Sequence, residues 1–260
     1  MMGMVVKSTG SWYRVRLDDG TYHQCRIKGK FRIGGLKSTN PVSVGDRVKL
    51  SLEGNDYLIN EILQRKNYII RKSVNLSKQV HIIASNIDQA FLIVTLVSPF
   101  TSTGFIDRFL VTAEAYQVPT IIVFNKVDLY DEFDRKYHDE VVNMYSEAGY
   151  ECIDVSALNQ QNISELVGRM KGNVTLLSGH SGVGKSTLVN AIDPNLDLLT
   201  QQVSDAHKKG MHTTTFAEMF ELDFGGFIID TPGIKGLGLV EIADSELSDY
   251  FKEIRLLKGQ

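Results

Sequence analysis

Residues 179–186 read Gly-His-Ser-Gly-Val-Gly-Lys-Ser, joining glycines, a lysine and a hydroxyl at fixed spacing. Glycines there let backbone amides converge on an anion, and the N-terminus of a following helix adds positive potential. That is the chemistry of a phosphate-binding loop. Lys185 suits bridging of terminal phosphates, Ser186 a magnesium ligand, and Thr187 a donor to the inner phosphates. Gly179, His180, Ser181, Gly182, Val183 and Gly184 complete the candidate cradle.

A second set specifies the base. Asn125, Lys126, Val127 and Asp128 follow the apolar run PTIIVF. A fixed carboxylate at Asp128 accepts from both guanine N1–H and its exocyclic amine, whereas adenine would face it with an unprotonated N1. Asn125 either ties loops together or meets the guanine edge, and the Lys126 stem covers the base. Ser156 and Ala157, after ECIDV, bring a backbone amide towards the base oxygen. With the phosphate loop, this set predicts a guanine nucleotide, GTP.

A third set surrounds the terminal phosphate. Asp230-Thr231-Pro232-Gly233 begins at the last residue of the strand GGFIID, so Asp230 is expected to hold magnesium through water and the Gly233 amide to sense the terminal phosphate. Between these sets, Gly210–Thr215 lies in a polar stretch with the composition of a switch segment. Thr214 or Thr215 is expected to complete the magnesium shell. His212 either orients water, acting in catalysis beside Lys185, or is a solvent-facing loop histidine.

These residues need a scaffold that presents strand ends. From residue 88 apolar strands alternate with helices: strands at 90–97, 119–124, 151–155, 174–177, 216–222 and 226–229, helices at 104–116, 133–148, 163–170, from 184, and 244–251. That alternation predicts a mostly parallel α/β sheet covered on both faces, with ligands at the carboxyl ends of its strands. The longest largely apolar run, residues 90–97, is far short of the roughly 20 residues of a membrane helix. With no signal-peptide pattern at the start, a cytoplasmic protein without membrane contact is expected. Two cysteines, Cys25 and Cys152, exclude a disulfide scaffold.

The net charge of −3 hides an asymmetry. Residues 1–80 hold 15 Lys or Arg against 6 Asp or Glu, while residues 81–260 hold 13 against 25. The basic part reads as about five short strands punctuated by turns such as Asp18-Asp19-Gly20 and Gly45-Asp46, predicting a small all-β barrel of the oligonucleotide-binding type. Basic residues Arg14, Arg16, Lys28, Lys30 and Arg32, interleaved with Trp12, Tyr13, Tyr22, His23 and Phe31, suit phosphate contacts and base stacking. The expected boundaries are a barrel at 1–66, a basic linker at 67–85, a GTPase domain at 86–244, and the start of a C-terminal region at 245–260.

The guanine-reading motif precedes the phosphate loop, the reverse of the usual GTPase order. In this arrangement NKVD, SA, GHSGVGKST, GMHTTT and DTPG, behind a basic barrel, the chain resembles the bacterial ribosome small-subunit-dependent GTPase A family. The resemblance implies an α/β fold: a circularly permuted P-loop GTPase domain with an N-terminal OB-fold barrel. It implies GTP hydrolysis late in maturation of the 30S subunit, contact with 16S ribosomal RNA, release coupled to hydrolysis, and a monomer. His212 matches the family's proposed catalytic histidine, and Ile234 stands where Ras-like enzymes carry a glutamine. The family also carries a C-terminal zinc module. No cysteine follows Cys152 here, so zinc is expected only in a longer protein, with no zinc ligands in this chain. Two other readings stay open: a nucleotide-gated RNA-binding scaffold with incidental hydrolysis, and a permuted GTPase serving a non-ribosomal partner.

Overall fold

The structure is a computed structural model that describes residues 1–28, 41–72, 80–196, 217–230 and 246–258, without the side chains of 71, 72, 80, 81, 230 and 256. The described residues fall into two compact units. One holds residues 1–87 with 217–220 and 229–230. The other holds 88–196, 221–228 and 246–258.

The first unit is built on five strands: β1 (Met2–Ser8), β2 (Tyr13–Leu17), β3 (Tyr22–Ile27), β4 (Arg47–Glu53) and β5 (Asp56–Ile62). Strand β1 pairs antiparallel with β2, β2 with β3, and β4 with β5, while β3 runs parallel to β5. The antiparallel β1–β4 pairing closes the barrel, leaving these strands no open edge. Residues 4–17 are two strands, because the chain turns where the Thr9 amide donates to Trp12 O at 2.9 Å. Val5, Val15, Leu17, Cys25, Val48, Leu50 and Ile59 fill the interior. Burial pushes the Cys25 thiol up to about 11, which keeps it protonated and unreactive at neutral pH.

Tyr13 is a correction. Expected among the stacking aromatics, it is 1% exposed and packs in the barrel core. The two-residue period of β2 explains this, since Tyr13, Val15 and Leu17 share the inner face and Arg14 and Arg16 the outer.

The stretch expected as a linker carries more order. β6 (Tyr68–Lys72) and β7 (Val80–Ser85) pair antiparallel. Around them, Arg65 donates through Nε to Asp46 Oδ1 and through Nη2 to Asp46 Oδ2, both at 2.6 Å. Asp46 is fully buried and also accepts from Ser85 Oγ at 2.6 Å and the Ser43 amide at 2.8 Å. A buried carboxylate is tolerated because every lone pair meets a donor.

In the second unit, β8 (Gln89–Val94), β9 (Thr120–Asn125), β10 (Glu151–Val155) and β11 (Val174–Ser178) form a parallel sheet in the order β10-β9-β8-β11. All residues of β8, β9 and β11 are buried, as expected of a parallel sheet covered on both faces. The helices are α1 (Thr103–Ala115), α2 (Glu132–Glu147), α3 (Ile163–Met170) and α4 (Lys185–Ile192). A capping box starts α2, with the Asp134 amide donating to Asp131 Oδ1 at 2.8 Å and the Asp131 amide to Asp134 Oδ2 at 3.2 Å. Two further strands, β12 (Glu218–Glu221) and β13 (Phe227–Asp230), each have residues counted in both units.

The closing helix begins later than its expected span, 244–251. A 3-10 turn occupies Leu247–Tyr250 and α5 follows at Lys252–Lys258. This register lets Lys252 and Arg255 both reach Glu114 of α1, at 3.2 and 3.1 Å, with Lys252 also over the Tyr150 ring at 4.0 Å. Among the described residues, no helix is long and apolar enough to cross a membrane.

Candidate nucleotide site and basic barrel face

The carboxyl end of β11 runs directly into the glycine-rich loop, and α4 starts at Lys185. Gly184, at φ +93°, is the residue preceding that helix, and a Cβ on it would stand 2.5 Å from Asn125 Nδ2. At Gly179, φ +144°, a Cβ would stand 2.4 Å from Ile93 O. Glycine is therefore required twice over, by backbone conformation and by close approach. Lys185 Nζ donates to Gly179 O at 2.6 Å and His180 O at 2.8 Å, so its ammonium curls over the loop. Ser181, Gly182, Ser186 and Thr187 are exposed, and Val183 is buried.

Asn125 joins three of the expected motifs: its own, the glycine-rich loop and the loop at Ser156-Ala157. It is 1% exposed at the end of β9. Its Nδ2 donates to Val183 O of the glycine-rich loop at 2.8 Å, and its Oδ1 accepts from the Ala157 amide at 3.2 Å. Of the two roles open to Asn125, the geometry favours tying the loops together. Lys126 adopts a left-handed conformation, φ +64°, and its Nζ donates to Ser98 O at 2.6 Å and Gly182 O at 2.8 Å. The lysine stem thus spans from one loop to the next. Val127 is buried beneath the turn Val127–Leu129. Ser156 is fully buried, and its Oγ accepts from the Asn159 amide at 3.1 Å, shaping the loop that presents the Ala157 amide.

Asp128 differs from its neighbours: its Oδ1 is buried and has no hydrogen-bond partner among the described residues. A carboxylate oxygen left so carries a desolvation cost that a ligand with N–H donors would relieve.

The loop after β8 also belongs to this site and was not singled out from sequence. Ser98 supplies a carbonyl to Lys126. A Cβ on Gly182 would lie 3.4 Å from the Pro99 ring. Thr101 Oγ1 lies 2.6 Å from His180 Nε2. The one available signal was position, since this loop leaves the carboxyl end of a strand beside the one feeding the glycine-rich loop.

Of the hard oxygen donors expected for magnesium, the exposed Ser186 in the first turn of α4 fits such an ion. Thr214, Thr215, His212, Gly233 and Ile234 lie outside the described residues, as does the Asp230 side chain. Among the described residues, no group of three or more His, Cys, Asp or Glu is placed to hold a metal ion.

The barrel is a separate candidate surface. Arg14 lies over the Tyr22 ring at 4.6 Å, Arg26 over Trp12 at 3.8 Å, and His23 stacks on Tyr57 at 4.0 Å. Trp12 and Tyr22 are each 38% exposed. Arg16 is half-buried in β2. Lys28 pairs with Glu53, and Lys30, Phe31 and Arg32 lie outside the described residues. Arg26 was missed from sequence, although the alternation of β3 around buried Cys25 puts it on the outer face with Gln24.

Comparison with known proteins agrees with this architecture. The RsgA GTPase family model matches residues 62–240, and the RsgA N-terminal domain model matches 2–57. The small ribosomal subunit biogenesis GTPase RsgA of Christiangramia forsetii is 57% identical over 97% of this chain and 82% of its own length. That of Flavobacterium psychrophilum is 55% identical over 100% of this chain and 81% of its own. The crystal structure of YjeQ from Thermotoga maritima superposes with a TM-score of 0.79 at 37% identity, covering 97% of this chain and 81% of that one. YloQ, a circularly permuted GTPase, matches at a TM-score of 0.71 and 28% identity over 98% of this chain and 79% of its own. With its closed five-stranded barrel and its permuted α/β domain, the chain belongs to the RsgA GTPase family.

Proposed function

We propose that this chain hydrolyses GTP during biogenesis of the small ribosomal subunit, reading guanine through Asp128 and holding the phosphates on residues 179–187. The observation that carries the guanine reading is the buried Asp128 Oδ1, without a partner among the described residues, beside a loop junction organised by Asn125. A guanine edge supplies two N–H groups to such a carboxylate, and the bond from the Ala157 amide to Asn125 Oδ1 fixes the neighbouring loop at this junction. Lys185 is already turned over the glycine-rich loop, its ammonium held by the carbonyls of Gly179 and His180 on the side where the phosphates would lie. Magnesium bound through Ser186, with Asp230 and Thr214 or Thr215, would neutralise charge between the outer phosphates. His212 is the candidate for orienting water, and the Gly233 amide for sensing the terminal phosphate.

The ribosomal part of the proposal is supported by the names of the relatives and by the basic barrel. In this reading the barrel, within 1–66, meets 16S ribosomal RNA through Arg14, Arg16 and Arg26 with Trp12 and Tyr22. Lys28, Lys30 and Arg32 extend the surface. The GTPase domain spans 86–244, after the 67–85 segment and before the 245–260 region. The chain acts in the cytoplasm as a monomer, and hydrolysis accompanies release from the particle. The names of the relatives favour neither a scaffold with incidental hydrolysis nor a non-ribosomal partner.

The test is GTP turnover by the purified protein with and without purified small subunits. A rise on adding small subunits, absent with large subunits, is expected. Equal turnover in both cases would sink the ribosomal reading while leaving the GTPase intact.

A further inference from the structure

We propose that His180 is a positioning residue for Lys185, held in place by the Thr101 hydroxyl. The inference rests on reading Lys185 as the phosphate-binding lysine. It concerns how a flexible ammonium is held ready before nucleotide arrives.

Thr101 is 1% exposed and fixed on both sides of its peptide. Its amide donates to Thr95 O at 2.8 Å, and its Oγ1 accepts from the Thr95 amide at 3.1 Å. The same Oγ1 lies 2.6 Å from His180 Nε2. On the other side of the ring, His180 Nδ1 lies 3.2 Å from Ser181 O. A carbonyl only accepts, so hydrogen bonding assigns the proton to Nδ1 and leaves Nε2 with a lone pair. Thr101 O–H therefore donates to Nε2. The edge of Phe105 against the ring, at 5.4 Å and 89°, limits its rotation.

The backbone of the same residue completes the relay. His180 O accepts from Lys185 Nζ at 2.8 Å, beside Gly179 O at 2.6 Å. Gly179 is itself fixed by its close approach to Ile93 O. A lysine has three donors and about 2 kcal/mol of rotamer entropy to lose on being fixed. Two carbonyls at set positions hold two of those donors. One carbonyl owes its position to the strand beneath it, and the other to a ring pinned by Thr101. Without that pin, the His180 peptide is free to rotate and Lys185 loses its aim at the phosphates.

Four single variants and one double variant test this by GTP affinity, steady-state kinetics and thermal melting. Thr101→Val keeps the shape but removes both the donor to His180 and the acceptor of the Thr95 amide; His180→Ala removes only the acceptor of the Thr101 hydroxyl. Each is expected to weaken GTP binding and kcat/KM roughly 10-fold, the usual effect of a group that orients a ligating residue. Thr101→Ser and His180→Gln keep donor and acceptor and should stay within about 2-fold of the native protein. The Thr101→Val/His180→Ala pair should be no worse than either single variant, because one relay is broken once. Additive losses, failed rescue by Ser and Gln, or a lowered melting temperature with unchanged GTP affinity would each overturn the proposal. Lys185→Ala provides the separate check. If it binds GTP as tightly as the native protein, the reading of Lys185 itself fails and the relay falls with it.

Discussion

The loop junction around Asn125 and the outer face of the barrel solve opposite problems. At the junction, Asn125 is withdrawn from water with its bonds to Val183 and Ala157, and Lys126 reaches over it from the surface to Ser98 and Gly182. On the barrel, arginines lie over half-exposed rings, Arg26 on Trp12 and Arg14 on Tyr22. The junction buys selectivity from geometry, since a buried polar atom tolerates only its complement. The barrel face suits a polyanion whose charge is everywhere and whose bases all present a flat surface. Single substitutions should therefore cost much at the junction and little, with marked salt dependence, on the barrel.

The largest effect is expected at Asp128. Asp128→Asn replaces an acceptor pair with one acceptor and one donor, so one guanine N–H meets another N–H. Loss of two charge-assisted bonds predicts a fall in GTP affinity of roughly 100-fold or more. Xanthosine triphosphate, with an oxygen where guanine has its amine, should gain affinity. Competition between the two nucleotides measures this. Retention of native guanine preference would remove Asp128 from the site.

Next is Asn125→Ala, which leaves Val183 O without its donor and the Ala157 amide without its acceptor. Two unsatisfied buried groups cost about 2–4 kcal/mol together, read as a shift in the denaturant midpoint. Gly184→Ala attacks the same junction from the other side, through φ +93° and a Cβ 2.5 Å from Asn125 Nδ2. If Asn125→Ala proved nearly neutral, the tie between the loops would be incidental.

The same contrast explains what the sequence revealed. The phosphate loop and guanine motif were legible because their chemistry is local: glycine spacing, a lysine and an asparagine at a strand end carry the signal themselves. The ends of β10 and α3 were legible for a similar reason, being bounded by clear turns. Thr101 was not, because its role depends on which loop lies beside the glycine-rich loop in space. Tyr13 was misplaced because a basic, aromatic-rich composition says nothing about which face of a strand a ring occupies; the period of β2 does. The β6–β7 pairing was hidden by the charge of its sequence, RKNYIIRKSVNLSKQVHIIAS, whose apolar residues Ile69, Ile70, Ile82 and Ala84 are buried.

Smaller effects are expected on the barrel. Trp12→Ala and Arg26→Ala should each weaken binding to ribosomal RNA by roughly 3- to 10-fold, from one lost stacking or cation–π contact. Arg26→Ala should also lower the slope of log affinity against log salt by about 1, provided that its guanidinium reaches a phosphate. Lys49→Ala is the internal comparison, because Lys49 already pairs with Glu61 at 2.8 Å. Filter binding over a salt series separates the cases. A Lys49 effect as large as that of Arg26 would mean that barrel charge, not the aromatic arrangement, decides affinity.

The smallest effect tests whether the buried character of the nucleotide-binding unit extends beneath the guanine loop. His138 of α2 is 7% exposed, with Nε2 2.8 Å from Asp154 Oδ1 and Nδ1 3.3 Å from Asp139 Oδ1. Its ring meets Phe124 edge-on at 5.1 Å and Tyr130 at 5.4 Å. The bond to Asp154 raises the imidazole pKa above its ordinary value, against the opposing effect of burial. A raised folded-state pKa gives stability that is fully present below the unfolded value of about 6.5 and is lost as pH rises through the folded value. Asp154→Asn should therefore lower the melting temperature most at about pH 5.5 and progressively less above neutrality. Melting curves of the native protein and the variant across that range decide it. A difference independent of pH would show that Asp154 holds the loop by hydrogen bonding to a neutral ring, with no contribution from charge.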